Sequence, residues 1–578
     1  MSELKNLGTV IKSDVMILGA GIAGLSTAIS IKENHPQLDV LVVDRNRAGW
    51  AGLSGKSGHG FFDMVPGVND PEDFVKYQTE NFGEYLTDQD FLRQNAFAIH
   101  STLLKAESWG IEFPKDPDGI YHTQMHPNGV ASLIAIPLDI NVTLHKKACE
   151  VGVRFMERVY VSDLLKTGEK ISGALGFDLD DLTCFIFSAK SFVIATHSCQ
   201  FNVQSMFNGN GGGIAMAYRA GAEMRNAEFG VANDVVYKND GHPIYGSCQS
   251  VYNKDGVNIS QIYAPNQPEV SLDLQLGAEK EMEEGRGPVY MDFNVETHSM
   301  KSVGFRGNAD DKPGFVDGKR RIWPDALVWQ GHIMEKAEKY RVIQDGDPTR
   351  PLISFKMAPE TSPLRVDNNY KTSLPNVWAA GFVCYNGSAT FEWIRGNGLA
   401  MCMKTGIRAA VGAGNFAACT VPAEIDAAQV EGLKNHFLAP LERKDGMDLE
   451  DMMDRIAELV QDPKYILHRS DKSMAEALEK VAAIRADLPK LGAYDGHTLA
   501  KCQDWDSILL IIEMMYRAGM MRKETRVRVW RQYRDDYPTT DNKNWLKWII
   551  LQKGENDEMK IWTEDVPIHR YKYKPADM

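Results

Sequence analysis

The chain has 578 residues, 43% hydrophobic and 25% charged, with a formal net charge of −14. That length exceeds one hydrophobic core and requires several domains. The acidic balance excludes a general nucleic-acid binder. No stretch approaches the roughly 18 uninterrupted apolar residues of a membrane span, and the start, Met-Ser-Glu-Leu-Lys-Asn, has no signal-peptide core. The expected location is cytoplasmic, with any membrane association made through a partner.

The first predicted element is the strand Asp14-Val15-Met16-Ile17-Leu18, running into Gly19-Ala20-Gly21-Ile22-Ala23-Gly24 and a helix through Ile31. A second strand, Val40-Leu41-Val42-Val43, ends on Asp44, about 20 residues past Gly24. Gly19 permits the tight turn, Gly21 lets the backbone approach a pyrophosphate, and Gly24 lets helix and strand pack closely. The helix N-terminus offers N–H groups and a partial positive charge. A dinucleotide is therefore expected here, contacted by Gly19, Gly21, Ala23, Gly24, Asp44 and Arg45. The glycine- and serine-rich loop 46–62 adds Ser54, Gly55, Lys56 and Ser57; Lys56 and His59 are candidates for reaching the reacting end.

Helical patterns fill 71–109. His122 and His126 lack the adjacent glutamate of a zinc helix, and Pro127 follows directly. They are candidates for proton transfer beside a redox ring, although loop or core histidines are the commoner case. Alternating apolar residues predict strands over 152–195, after which Ala195 and Thr196 are expected at the nucleotide. The turn Asn208–Gly213 opens a helix from Ile214 to Ala222. Residues 230–350, rich in Asn, Asp, Gly and Pro, read as an inserted domain. Within Ile353–Pro359, Lys356 is a candidate anion ligand or acid, or a solvated strand-end lysine. Asn376–Gly381 is another strand ending in glycine, and Arg395-Gly396-Asn397-Gly398-Leu399 opens a helix running to Val411. Amides at that entrance suit the anionic edge of a flavin, which adds Gly381, Asn397, Gly398 and Leu399 to the cofactor contacts. Arg395 is the candidate for gripping a substrate anion, because a guanidinium binds carboxylate or sulfo groups in a bidentate fashion.

From 425 the pattern is helical to Gln503, followed by a basic helix over 513–535 and a loop-rich aromatic tail. The stripe Arg522, Lys523, Arg526, Arg528, Arg531, Arg534 reads as a solvated face or as a dock for an acidic electron-transfer partner. The eight cysteines contain no Cys-x-x-Cys pair, so reduced thiols are expected, with no metal site and no iron–sulfur cluster in this chain.

The fingerprint, Gly209–Ala222, Ala379-Ala380-Gly381, Arg395–Leu399, Arg522–Arg526, Tyr533–Pro538 and Asn544–Leu546 together resemble the succinate dehydrogenase/fumarate reductase flavoprotein family over nearly the whole chain. Asn226-Ala227-Glu228-Phe229 and Gly285–Asp292 are closer to the adenylylsulfate reductase alpha subunit. The resemblance implies an α/β fold: a Rossmann-like FAD-binding domain (1–229 and 351–424), an inserted α+β capping domain (230–350), and a helical C-terminal domain with tail (425–578). It implies an FAD-dependent oxidoreductase in a hetero-oligomer, acting on a small anionic substrate, with iron–sulfur clusters only on a ferredoxin-like partner subunit. Ala51 stands where succinate dehydrogenases carry the histidine that bonds FAD, so non-covalent FAD is expected. Leu272 stands at the place of the cap's catalytic arginine, Val236 lies where an arginine is missing from the adenylylsulfate reductase pattern, and Phe382 replaces the acid after the late Ala-Gly. These departures keep a second reading open, a non-catalytic electron conduit or accessory flavoprotein.

Overall fold

Four consecutive apolar residues with no polar alternation make a strand that must be covered on both faces. Val15–Leu18 (β1) is such a strand, buried along its whole length. In the computed structural model it is central to a five-stranded parallel sheet with Val40–Val43 (β2), Arg154–Met156 (β3), Ser191–Ile194 (β4) and Val377–Ala379 (β5). The spatial order is β5-β4-β1-β2-β3. Leu18 pairs with Val43 on one side and Ile194 on the other, and Ile194 pairs with Ala379, so the carboxyl ends align along one edge. The chain winds outward from β1 to β2 and β3, then returns to add β4 on the other side. The gap between β1 and β4 is thus the point where open α/β sheets bind ligands.

The structure describes residues 2–55, 61–113, 115, 117–121, 123–125, 130–134, 136, 139–201, 209–229, 232–238, 250–265, 272–292, 315–316, 319–320, 350–358, 360–389, 397–443, 445–528 and 532–578. Five helices frame the argument: Ile22–Asn34 (α1), Gly212–Arg219 (α2), Leu272–Glu283 (α3), Asn397–Cys419 (α4) and Gly496–Met521 (α5). Every residue of α1 from Ile22 to Ile31 is buried. Its crossing with α4 is almost bare of side chains, since a Cβ on Gly406 would lie 2.4 Å from the Ala23 carbonyl oxygen. A four-stranded mainly antiparallel sheet adjoins, ordered Thr9–Lys12, Cys184–Ser188, Lys170–Asp178, Val159–Thr167.

A second, smaller core gathers Val235, Val251, Ile259, Leu274, Ala278, Val289, Met291 and Ile353. Helix α3 belongs to both cores, because Leu272 is buried in the main one. Lys356 lies on Ile353–Ala358, paired in register with Asp234.

Three expectations for the C-terminal region are corrected. The basic helix over 513–535 does not exist as one element: α5 stops at Met521, and Arg522 leaves it in an extended conformation. Arg522, Arg526 and Arg534 are fully buried rather than arrayed on a solvated face or a docking surface. Arg522 meets Glu228 at 2.9 Å and Glu524 at 2.8 Å, and Arg526 meets Glu524 at 2.8 Å, all without exposed side-chain surface. The aromatic tail is an antiparallel hairpin, Lys547–Lys553 with Met559–Asp565, which adds Met224–Arg225 as a third strand. Among the described residues no helix is long and apolar enough to cross a membrane.

Candidate functional site

The turn after β1 is shaped by what its glycines lack. Gly19 has φ +107°, and a Cβ there would lie 2.4 Å from the Ala195 carbonyl oxygen. A Cβ on Gly24 would lie 1.8 Å from the Gly19 carbonyl oxygen, so helix and turn touch backbone to backbone. Gly21 is different: among the described residues its added Cβ would meet only the Gly52 Cα, at 3.9 Å. Gly21 also caps α1 without any side chain, which leaves the first-turn amides to a ligand. Asp44 is anchored at the end of β2 by the amides of Ala20 and Asn46, each at 2.6 Å. Burial pushes its carboxyl pKa up, and the two amide bonds oppose that shift.

The other wall lies past β4 and β5. Thr196 follows β4; its Oγ1 is buried with no hydrogen-bond partner among the described residues. The next residue, His197, stacks on Phe382 with centroids 5.1 Å apart, and Phe382 stacks on Tyr385 at 4.8 Å. Gly381 has φ +77°, its amide donates to Thr405 Oγ1 on α4 at 2.8 Å, and its missing Cβ would lie 2.9 Å from that of Ala23. Gly398, in the first turn of α4, leaves room for the Phe382 ring, whose Cζ would be 2.9 Å from a Cβ there. The entrances of α1 and α4 thus meet beside Gly381, at the sheet's switch point.

Of the residues expected from sequence, Gly19, Gly21, Ala23, Gly24, Asp44, Ala195, Thr196 and Gly381 converge on this edge, and Asn397, Gly398 and Leu399 open α4 against it. Ser54 and Gly55 lie in the turn Leu53–Gly55, just past Gly52, and Ser54 donates to Asn141 Oδ1 at 2.9 Å. Arg45 turns its guanidinium to Asp504 on α5 (3.0 and 3.2 Å) and over the Tyr160 ring, so its side chain is already committed. Lys56, Ser57, His59, His122, His126 and Arg395 lie outside the described residues, and of Lys356 only the strand position is described. Sequence reasoning missed three residues here. Asn141 also donates to the Ala51 carbonyl at 2.8 Å and so fixes the loop over Gly21; Asp504 fixes Arg45; His197 joins the aromatic stack. Only tertiary structure brings Asn141 and Asp504 to their partners, and His197 has no motif around it.

The cradle at Gly19–Gly24, the anchored acid and the open Thr196 hydroxyl fit a dinucleotide with a ring system beyond its pyrophosphate. Comparison with known proteins agrees. Residues 14–232 match the FAD binding domain family, and 453–578 match the fumarate reductase flavoprotein C-terminal family. The fumarate reductase flavoprotein subunit of Mycobacterium tuberculosis is 23% identical, over 96% of this chain and 98% of its own. An E. coli quinol fumarate reductase structure superposes with TM-score 0.79 at 18% identity, covering 98% of both chains. The adenylylsulfate reductase of Archaeoglobus fulgidus superposes with TM-score 0.73 at 20% identity, covering 96% of both.

Proposed function

We propose, from the premise that this chain belongs to the succinate dehydrogenase/fumarate reductase flavoprotein family, that this FAD-dependent oxidoreductase oxidises or reduces a small anionic substrate and exchanges the electrons with an iron–sulfur partner subunit. The observation that carries the reading is the meeting of two glycine-bearing helix entrances, at Gly21 and at Gly398, beside the switch point of a parallel sheet. When bound, FAD supplies two-electron chemistry at its ring.

The chain's residues do the rest. Asp44, held by two amides, accepts from the ribose. The first-turn amides of α1 would hold the pyrophosphate, and those of α4 would stabilise the ring. Arg395, two residues ahead of α4, grips the substrate's carboxylate or sulfo group, with Lys356 as a second cation. His59, His122 and His126 are the candidates for moving a proton, because imidazole titrates near neutrality. Residues 230–350, with the second core, form the cap that excludes water, inserted between 1–229 and 351–424; residues 425–578 form the helical domain and its tail. With Ala51 in the linking position, FAD is held non-covalently, and acid precipitation leaves the yellow colour in the supernatant. Any membrane association belongs to the partner.

The test is anaerobic: the purified flavoprotein is reduced and mixed with unsaturated dicarboxylates, adenylylsulfate and sulfur oxyanions. Rapid reoxidation by one class identifies the substrate. A second reading, the electron conduit, is favoured by Leu272, buried in the main core where the family's cap carries an arginine. It is the conclusion if no small anion reoxidises the flavin and a ferredoxin-like protein does.

A further inference from the structure

His197 lies three residues past the end of β4, on the side of the switch point away from Asp44. Its hydrogen bonds determine which ring nitrogen carries the proton. Ser198 has a single hydroxyl proton and donates it to Glu360 Oε1. The 2.9 Å contact between Ser198 Oγ and His197 Nδ1 must then use the ring's own proton. Nδ1 is the donor, and Nε2 is left as a bare acceptor. Nε2 is buried and has no hydrogen-bond partner among the described residues. Burial also lowers the imidazole pKa to about 4, so the ring does not escape by becoming a cation at neutral pH. The ring plane is held against Phe382, and the backbone sits at φ +70°.

Buried acceptors are rarely left open without a reason. The strand order supplies one. Asp44 ends β2, the glycine cradle follows β1, and His197 follows β4, so the three stand in sequence along the carboxyl edge. A dinucleotide with its ribose at Asp44 and its pyrophosphate at Gly21 carries its second half over His197. We propose that His197 Nε2 accepts a hydrogen bond from a donor on the flavin half of FAD, a ring N–H or a ribityl hydroxyl. Ser198 and Glu360 are positioning residues that fix its tautomer. The inference rests on the FAD reading above.

The test strips FAD from the full-length protein and titrates it back, with ADP as the comparison because ADP lacks the flavin half. His197→Phe keeps a ring against Phe382 and removes the acceptor. It should weaken FAD about ten-fold, the scale of one buried hydrogen bond, and leave ADP unchanged. His197→Gln, which restores an acceptor oxygen, should recover most of the loss. Histidine 15N NMR of the unmutated protein reads the tautomer directly and stands even if the Phe variant does not fold. Nδ1 should carry the proton, and the Nε2 resonance should move on adding FAD but not ADP. Ser198→Ala should mix the two tautomers. The proposal is overturned by unchanged FAD affinity in His197→Phe, by an equal loss for ADP, or by a protonated Nε2 in the unmutated protein. A native protein that takes up no FAD would sink the cofactor reading instead, and the tautomer measurement would still judge the geometry of His197.

Discussion

At Gly24 one methyl group decides whether the turn can close, because it would lie 1.8 Å from a backbone oxygen that cannot move aside. At Gly21 the same methyl meets nothing nearer than 3.9 Å among the described residues, and on the proposed reading it would face the pyrophosphate. The two alanine variants should therefore fail differently. Gly24→Ala should destabilise the fold by about 3 kcal/mol or more, lowering the melting temperature with or without FAD. Gly21→Ala should melt like the parent when stripped and lose FAD affinity, as read by flavin fluorescence titration. Glu84 offers a second single-residue test. It stands at φ +46°, its carboxylate accepts from the Arg528 amide at 3.3 Å, and burial pushes its pKa up to about 7 from 4.5. The folded state thus holds this proton more tightly than the unfolded chain. The penalty for burying the charge is absent below pH 4.5, grows as pH rises, and is complete above about 7. Glu84→Gln should stabilise the protein at pH 8 by about 1–3 kcal/mol and leave it unchanged near pH 4, as followed by denaturant unfolding.

Among the elements, the segment after α5 departs furthest from a local reading. Its arginines look like a solvated stripe because their partners are remote: Glu228 is 294 residues from Arg522. Once Arg522 sits over the Phe229 and Trp545 rings and between two buried carboxylates, a straight helix cannot serve it. Removing one member of such a network strands the others in a low-dielectric interior, so Glu228→Ala should cost about 3–5 kcal/mol, measurable by denaturant unfolding. The strand–glycine–helix–strand unit was legible by contrast, because β1, the turn, α1 and β2 interact with near neighbours and Gly24 has its steric task against Gly19 within the same turn. The strand before Gly381 and the helix after Arg395 were legible for the same reason. What holds the loop over Gly21 was not: Asn141 reaches Ser54 from 87 residues away. The tail hairpin was hidden because its interior strand is continuously apolar, without the alternation that marks a half-buried strand.

Across the whole molecule, α3 is where the two cores meet, with Leu272 in one and Leu274 and Ala278 in the other. An ionic clasp reinforces that junction. His468 contacts Glu279 of α3 at 3.1 Å through Nε2 and Asp535 of the C-terminal segment at 3.2 Å through Nδ1. Those carboxylates raise the His468 pKa from 6.5 to about 9, with the Glu279 hydrogen bond the largest cause. Because the folded value exceeds the unfolded one, the stabilisation is fully present below pH 6.5 and is lost as pH rises through about 9. Hydrogen exchange along α3 should therefore accelerate between pH 7 and pH 10 beyond its intrinsic rise, and His468→Gln should exchange fast at both.

The sheet that joins Met224–Arg225 to the hairpin 547–565 sets an order on biosynthesis. A nascent chain halted before Lys547 has a naked strand edge at Met224–Arg225, a feature that chaperones and proteases act on. Closing this sheet must then wait until residues 547–565 have emerged, which places it after synthesis of the nucleotide half.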